Sequence, residues 1–201
     1  MKIVIEHEVL GHIDKKLYTK LSKQLKEQYG PPSIKKRIAI SFWNPDIKNV
    51  ETRIRITNGE AELMQKVGEW ENKKSFKLQE ISCPIRGGVN EIYSLFLILS
   101  NLCETGIAPR IIQHKNKIYY SKDFEIKLSK QFGRSEKYLF EIEKVGERSL
   151  QEFVNKNGLA KYIKKTDVDF WLKWNEDVNL SIDLISENAL KKLITKYLRY
   201  T

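Results

Sequence analysis

The pattern of apolar and polar positions predicts a chain made largely of β-strands. Apolar and polar residues alternate over short segments bounded by Gly, Pro, Asn or Asp, which is typical of antiparallel strands with one buried face. Asn58-Gly59 joins two of these segments and is the strongest signal for a tight hairpin. The predicted strands are 2–10, 37–43, 50–57, 61–67, 75–83, 110–113, 117–120, 124–128 and 137–145, with 110–113 and 117–120 expected to pair across a basic turn.

Helical periodicity interrupts the strand pattern in several places. Leu17, Leu21 and Leu25 follow one another at intervals of four, and Asp14 is a suitable N-cap just before them. The Gly30-Pro31-Pro32 segment then ends this helix. The predicted helices are 14–29, a buried helix at 89–102, 147–157 and 185–200.

Two series of short strands on either side of one helix indicate an α+β fold. Consecutive hairpins favour an antiparallel barrel or sandwich with flanking helices. We expect residues 1–201 to form a single domain, in which 158–201 is a mainly helical extension that packs on the sheet. This extension either closes one end of the sheet or forms the surface of a homodimer, and the sequence leaves both open.

Composition limits the cellular setting and the class of partner. The longest apolar run is centred on 95–99, far shorter than the roughly 20 residues of a membrane span, and the N-terminus has no secretory signal pattern. Cys83 and Cys103 show no motif spacing. We therefore expect a cytoplasmic protein with reduced thiols. Its net charge of +10 favours polyanionic partners such as nucleotides, polyphosphate or nucleic acid.

Charged residues recur two positions apart along the predicted strands, so that each pair shares one face. A sheet with one wet face shows such alternation without any function. However, acidic pairs lie near both ends of the strand series and basic pairs lie between them. A closed sheet would bring them to one interior, where carboxylates hold Mg²⁺ or Mn²⁺ and basic groups hold phosphate oxygens. The pairs are Glu6 and Glu8, Arg53 and Arg55, Lys115 and Lys117, and Glu141 and Glu143, with Lys66 on the strand after the arginines.

The order of these motifs resembles that of the CYTH domain, the triphosphate tunnel metalloenzymes. Glu6-His7-Glu8 is similar to the family's opening Glu-x-Glu, and Glu141-Ile142-Glu143 to its closing one. The segment 51–66 is similar to its Arg-x-Arg hairpin with a following lysine, and Lys115-Asn116-Lys117 to its later basic strand. The resemblance spans residues 3 to about 157.

The resemblance implies an eight-stranded antiparallel closed barrel that binds triphosphate compounds in a tunnel. Family members include class IV adenylate cyclases, thiamine and inorganic triphosphatases, and RNA 5′-triphosphatases. By this resemblance Glu6, Glu8, Glu141 and Glu143 would hold the metal, and Glu6, Glu8 and Lys66 would take part in catalysis. The phosphate-binding residues would be Arg53, Arg55, Lys66, Lys115 and Lys117.

The sequence departs from the family pattern at three places. Leu10 stands where the family normally has a lysine after the opening motif. The aspartate expected on the strand before the closing motif has no clear counterpart, and Glu125 is the nearest acidic candidate. The turn after the second strand reads Asn44-Pro45-Asp46. Because Leu10 replaces this lysine, a second function is open besides hydrolysis. The tunnel would bind nucleotide or polyphosphate without turnover.

Several functions thus remain open on the sequence. The favoured function is a metal-dependent phosphohydrolase for inorganic, nucleoside or thiamine triphosphate. It is preferred over a cyclase because hydrolysis needs no purine pocket, and no such pocket can be identified in the sequence. A class IV-type cyclase, a binding tunnel and a purely structural barrel are the alternatives, and an RNA 5′ end is a further candidate ligand. His7, His12 and His114 have no ligand spacing and are interpreted as structural residues.

Overall fold

The computed structural model describes residues 2–43, 50–68, 76–102, 108–122, 124–143, 147–163 and 168–200. The strands are β1 (Lys2–Ile13), β2 (Ser33–Trp43), β3 (Val50–Thr57), β4 (Glu60–Val67), β5 (Phe76–Pro84), β6 (Arg110–Tyr120), β7 (Glu125–Phe132), β8 (Glu136–Glu143) and β9 (Leu180–Ser181). The helices are α1 (Lys15–Tyr29), α2 (Val89–Leu102), α3 (Glu147–Lys156), α4 (Val168–Val178) and α5 (Glu187–Leu198).

Eight of the described strands form one closed antiparallel barrel, as expected. Hydrogen bonding follows the order β2-β3-β4-β5-β1-β8-β7-β6, and β2 pairs with β6 from Ser33↔Ile118 to Ser41↔Arg110 to complete the circle. The short β9 adds to β6 at Arg110 and Ile111. Closure leaves the eight barrel strands without a long unpaired edge.

The first strand joins the two meanders. One part of β1, from Lys2 to Glu8, pairs with β5, and its other part, from Glu8 to Ile13, pairs with β8. Glu8 itself lies at the changeover and has a partner on each side. The N-terminal strand therefore lies in the middle of the sheet order.

Most predicted elements are confirmed, including the hairpin at Asn58-Gly59. Both residues have positive φ, 47° and 88°, as expected for the mirror-image turn that matches strand twist. The predicted basic turn between 113 and 117 is wrong, because β6 runs unbroken from Arg110 to Tyr120. Polar residues at 114 and 116 gave this strand a loop-like composition, although they point into the barrel. Helix α4 lies within the segment 158–201 that was predicted to be mainly helical, although its own bounds were not predicted.

The apolar core lies outside the barrel, between its outer face and the helices. One cluster joins α1 and α3 to β1, β7 and β8, and a second joins α2 and α5 to β2, β3 and β6. Buried examples are Leu21 with Phe140 in the first cluster and Ile54 with Ile194 in the second. The inner face of the strands is therefore free to carry polar groups. In the described chain, none of the helices has both the length and the apolar character to cross a membrane.

Candidate polyanion and metal site

Strand alternation assigns one set of charged side chains to the barrel interior. Antiparallel partners point to the same face, so the ladders link the even residues of β1, β4, β5 and β6 with the odd residues of β2, β3, β7 and β8. These positions surround a cavity of about 170 Å³. Its lining comprises Glu8, Leu10, Ser41, Glu51, Arg53, Lys66, Leu78, Ile112, His114, Gln131, Leu139, Glu141, Trp174, Asn175 and Asn179.

Three carboxylates converge at the seam between the first and last barrel strands. Glu8 is opposite Glu143 in the ladder, and Glu141 is the next residue of β8 on the same face. One carboxylate oxygen from each of Glu8, Glu141 and Glu143 lies within 4.8 Å of the others. The backbone of Glu6 pairs with Leu78, but its side chain lies outside the described part of the structure.

Lys127 on β7 is the residue of this cluster that sequence analysis missed. Its Nζ donates to Glu141 Oε2 and to Glu143 Oε1, both at 2.5 Å, and its side chain is only 8% exposed. In the β7–β8 ladder Lys127 is opposite Glu141. The Gly133-Arg134-Ser135 segment is the signal that could have revealed this pairing, because a hairpin turn fixes the register of the strands that it joins.

A second cation reaches the cluster from β4. Lys66 Nζ donates to Glu8 Oε2 at 3.1 Å. Burial raises the pKa of Glu8 above its usual range, the Lys66 ammonium offsets part of this, and the carboxylates of Glu143 and Glu141 raise it further. Burial alone would also raise the pKa of Glu141, but Lys127 outweighs it and lowers that pKa to about 2. The two carboxyls thus differ in how strongly the fold favours their charge.

The predicted Arg-x-Arg pair lies on the opposite side of the interior. Arg53 donates from Nε to Glu51 Oε1 at 2.7 Å, and Ser41 donates to the same oxygen at 2.6 Å. Burial would lower the pKa of Arg53, but Glu51 raises it instead. Arg53 and Glu51 both line the cavity, so this guanidinium is available to a ligand that can compete with Glu51.

Arg55 is held more tightly than Arg53. It donates to Glu62 Oε1 at 2.8 Å and to Glu80 Oε1 at 2.8 Å, with a longer contact to the other oxygen of Glu80. Arg55 is not among the residues that line the cavity. Its geometry is therefore that of a buried ion-pair network that fastens β3, β4 and β5 together.

Arg37 and His114 are interior residues that the sequence did not single out as a site. They are opposite each other on β2 and β6. Arg37 Nε donates to Thr57 at 3.0 Å, and among the described residues its guanidinium has no carboxylate in contact. Burial lowers the pKa of Arg37 to about 10, and burial together with Arg37 lowers the pKa of His114 well below its usual value. The fold therefore favours the neutral form of His114.

Lys115 and Lys117 are not brought to the interior, which corrects their predicted place beside the phosphate site. They occupy odd positions of β6, on the outer face of the barrel. Lys115 is exposed, and Lys117 Nζ donates to Ser22 Oγ of α1 at 2.7 Å. Lys115 and Lys117 do share one face of the strand, as their spacing of two residues predicts, but it is the outer face. The predicted position of the inner face was wrong by one residue, and a shift of one residue moves every side chain of a strand to the other face.

Helix α4 contributes Trp174 and Asn175 to the lining of the cavity. Trp174 Nε1 donates to Gln131 Oε1 at 2.9 Å, and Gln131 Nε2 donates to Asn179 Oδ1 at 3.1 Å. The Trp174 ring also packs against His12, with 4.5 Å between ring centroids. The C-terminal segment therefore packs against β1 at His12 and contributes side chains to the cavity.

Comparison with known proteins identifies the architecture. No family model and no curated protein matches this chain. Among solved structures, a proposed adenylate cyclase from Bacillus halodurans is 13% identical, with a TM-score of 0.61 and coverage of 84% of this chain and 97% of that one. The barrel has the triphosphate tunnel fold.

Other solved structures that are similar to this chain come from proteins of different kinds. A cyclase candidate from Hippeastrum, HpAC1, with a dominant triphosphatase activity, is 13% identical, with a TM-score of 0.57 and coverage of 84% and 95%. A chain of the Schizosaccharomyces pombe Mediator head module is 11% identical, with a TM-score of 0.52 and coverage of 82% and 99%. At these identities the likeness establishes the tunnel fold, and the function has to be argued from the site.

The residues of this tunnel fit a divalent metal in donor chemistry. Three carboxylates with oxygens within 4.8 Å of one another are the hard oxygen donors that Mg²⁺ and Mn²⁺ prefer. Lys127 and Lys66 already contact all three, so a metal would have to share or replace these contacts. The acidic cluster is therefore a candidate metal site whose charge the protein balances with its own lysines.

Proposed function

We propose that the chain is a divalent-metal-dependent phosphohydrolase for a triphosphate-containing substrate that binds inside the barrel. The observation that carries this proposal is that the Glu8, Glu141 and Glu143 cluster shares the barrel interior with cavity-lining Arg53 and Lys66. Acidic groups for a metal and basic groups for phosphate oxygens are the two components that phosphoryl transfer requires.

The interior charge supports a requirement for metal. Among the described interior cations, Arg53, Arg55, Lys66 and Lys127 each contact a carboxylate. An incoming triphosphate would therefore add about four negative charges to a site with little unbalanced positive charge. A divalent ion that enters with the substrate offsets this charge.

The side chains then divide into two groups. Glu8, Glu141 and Glu143 would hold the metal, and Glu6 is a further candidate for this role. A bound metal polarises phosphate oxygens and lowers the pKa of a coordinated water. Arg53 and Lys66 line the same cavity and would bind phosphate oxygens. Nothing in the described residues favours an RNA 5′ end as the ligand or a homodimer as the assembly.

A non-catalytic binding tunnel is the second candidate, and Leu10 supports it. Leu10 lines the cavity opposite Glu141, at the position where the resembled family carries a lysine. An apolar residue there removes one cation from the site of reaction. Phosphate binding by the remaining cations does not depend on this position.

The decisive experiment combines a turnover assay with a binding assay. The full chain is incubated with inorganic triphosphate, ATP or thiamine triphosphate and Mg²⁺ or Mn²⁺, and phosphate and cyclic nucleotide are measured. Glu141→Gln with Glu143→Gln is the test variant, and outward-facing Lys115→Ala is the matched control. Metal-dependent phosphate release that is lost only in the test variant supports the hydrolase.

The other outcomes separate the alternatives. Cyclic nucleotide as the main product would show a cyclase in place of a hydrolase. Triphosphate-dependent thermal stabilisation without any product would support the binding tunnel. If the protein shows no turnover and no stabilisation, both candidates are contradicted. The barrel would then be one whose interior charges are structural.

A further inference from the structure

The acidic cluster already contains a cation supplied by the protein. Lys127 Nζ lies 2.5 Å from an oxygen of Glu141 and 2.5 Å from an oxygen of Glu143. The side chain is only 8% exposed, so these two carboxylates are its close polar surroundings. Lys127 is thus a charged ammonium within the group of oxygens that would bind a metal.

An ammonium and a divalent ion compete for this position. Oxygens that lie within 4.8 Å of one another surround a single small cation, since metal–oxygen distances are about 2.0–2.6 Å. A second cation placed among the same oxygens would be only a few ångströms from Lys127 Nζ, where the repulsion of three positive charges in a buried site is large. Both cannot use the same oxygens at once.

We propose that Lys127 is a built-in counterion that fills the acidic cluster when no metal is bound, and that a divalent ion binds there only by displacing its ammonium group. This inference rests on the metal site of the proposed function, but it does not depend on turnover. It goes further because it makes Lys127 the residue that sets the affinity of the site for metal.

The displaced ammonium needs another partner, and this links metal binding to anion binding. The lysine stem is flexible, and Lys127 lies on the strand opposite Glu141, on the inner face of the barrel. Phosphate oxygens in the cavity would accept its hydrogen bonds once the metal holds the carboxylates. A metal–triphosphate complex therefore binds more readily than either part alone. The triphosphate accepts hydrogen bonds from the ammonium that the metal displaces, and the metal frees that ammonium for the triphosphate.

A purely structural ion pair makes a different prediction from a counterion. If Lys127 only stabilises the barrel, its removal leaves unpaired buried carboxylates and a less stable protein, whatever the metal concentration. If Lys127 occupies a metal site, its removal leaves an oxygen cluster that a divalent ion can fill and stabilise. The response of the variant to metal alone distinguishes the two.

The test uses the full-length chain, Mn²⁺ as the probe and no nucleotide or triphosphate. Free Mn²⁺ is measured by EPR during titration of wild type, Lys127→Met and Lys130→Met, and thermal unfolding is followed with and without Mn²⁺. Lys130 is the matched control, because it lies on the same strand but pairs with the more exposed Glu136 outside the cavity. Folding of each variant is checked by circular dichroism.

We expect Lys127→Met to bind Mn²⁺ at least tenfold more tightly than wild type and to gain more in Tm from the ion. Lys130→Met should behave as wild type, and adding Glu141→Gln to Lys127→Met should abolish the gain. If Lys127→Met does not fold without metal, Lys127→Gln serves instead, since its amide can still donate to the carboxylates. Equal Mn²⁺ affinity in wild type and the Lys127 variants, or no Mn²⁺ stabilisation in them, would overturn the proposal.

This experiment separates the two proposals, because turnover is not measured. Tight Mn²⁺ binding by Lys127→Met supports the counterion even if wild type hydrolyses no triphosphate, a result that would count only against the hydrolase. Conversely, metal-dependent hydrolysis by wild type with unchanged Mn²⁺ affinity in the Lys127 variants would count only against the counterion.

Discussion

Glu8 on β1 lies directly opposite Glu143 on β8, so two carboxylates face each other across an antiparallel ladder inside the barrel. Like charges in this arrangement are destabilising. Lys66 compensates Glu8 and Lys127 compensates Glu143, each through a direct contact. The Glu8–Glu143 pairing is therefore tolerated because neighbouring strands supply cations. Changes to these charged residues should alter the stability and the ligand binding of the barrel.

Neutralising the carboxyl of Glu8 and neutralising that of Glu141 should affect stability differently. The pKa of Glu8 is raised, so the fold disfavours its charge, whereas the pKa of Glu141 is lowered, so the fold favours its charge. We expect Glu8→Gln to be neutral or slightly stabilising in metal-free buffer and Glu141→Gln to cost on the order of 1–3 kcal/mol. Urea unfolding at pH 7 with EDTA measures both, and equal losses in the two variants would contradict this assignment.

The stability that Glu141 contributes should disappear in acid. Its folded pKa of about 2 lies below the usual glutamate pKa of 4.5, so its contribution is complete above pH 4.5 and is lost as the pH falls towards 2. We therefore expect wild type and Glu141→Gln to differ at pH 7 and to converge near pH 2. Free energies of unfolding at a series of pH values provide the test. A difference that stays constant from pH 7 to pH 2 would refute it.

Gly11 should be intolerant of any side chain. A Cβ at this position would lie 2.2 Å from Cε1 and 2.3 Å from Cζ of Phe140, which is fully buried in the outer core. We expect Gly11→Ala to lower the free energy of unfolding by roughly 1–3 kcal/mol, because Phe140 has to leave its packed position. Gly88→Ala is the control, since its nearest neighbour would be a carboxylate oxygen at 3.5 Å. Similar melting temperatures for both variants would show that the core adapts.

Restoring a lysine at Leu10 should strengthen triphosphate binding. The side chain at 10 lines the cavity opposite Glu141, so an ammonium there would join the cations of the phosphate site. We expect Leu10→Lys to raise the affinity for Mg²⁺-triphosphate about tenfold, equivalent to about 1.4 kcal/mol. Leu10→Met controls for the change in shape, and calorimetric titration is the measurement. Weaker binding by Leu10→Lys than by Leu10→Met would show that the cavity has no room for another cation.

Arg53 and Arg55 should separate binding from stability. Arg55 is held by Glu62 and Glu80 away from the cavity lining, whereas Arg53 lines the cavity beside Glu51. We expect Arg55→Met to cost about 3–5 kcal/mol of stability, the usual effect of breaking a buried ion-pair network. Arg53→Met should reduce triphosphate affinity more than Arg55→Met does in the folded fraction. The reverse order in calorimetry would mean that Arg55 is the phosphate ligand.

The individual strands could be predicted because their apolar alternation is strong where they meet helices, whereas closure into an eight-stranded barrel was implied only by the family resemblance. Residues such as Ile38, Ile54 and Phe140 lie on the outer face under α1, α2, α3 or α5, so their period of two is clear in the sequence. Strand β6 is the exception. Its inner residues, His114 and Asn116, are polar and its outer Lys115 is exposed, so the alternation that marks a strand is absent there.

The site was predictable only in part, for a related reason. The acidic and arginine pairs were recognised as sequence motifs, whereas Lys127 belongs to no motif and acquires its place from the β7–β8 register. Arg37 and His114 come together only through the β2–β6 pairing that closes the barrel. Contacts between residues far apart in sequence depend on closure, which local patterns do not encode.

The position of β1 in the middle of the sheet order has a consequence for folding of the protein. Glu8 lies on β1, whereas its ladder partner Glu143 is the last residue of β8. Contacts of such long sequence separation form slowly, so we expect the β1–β8 seam to close late in folding. The three carboxylates of the acidic cluster meet only at this seam, so the cluster acquires its metal-binding geometry only when the barrel closes.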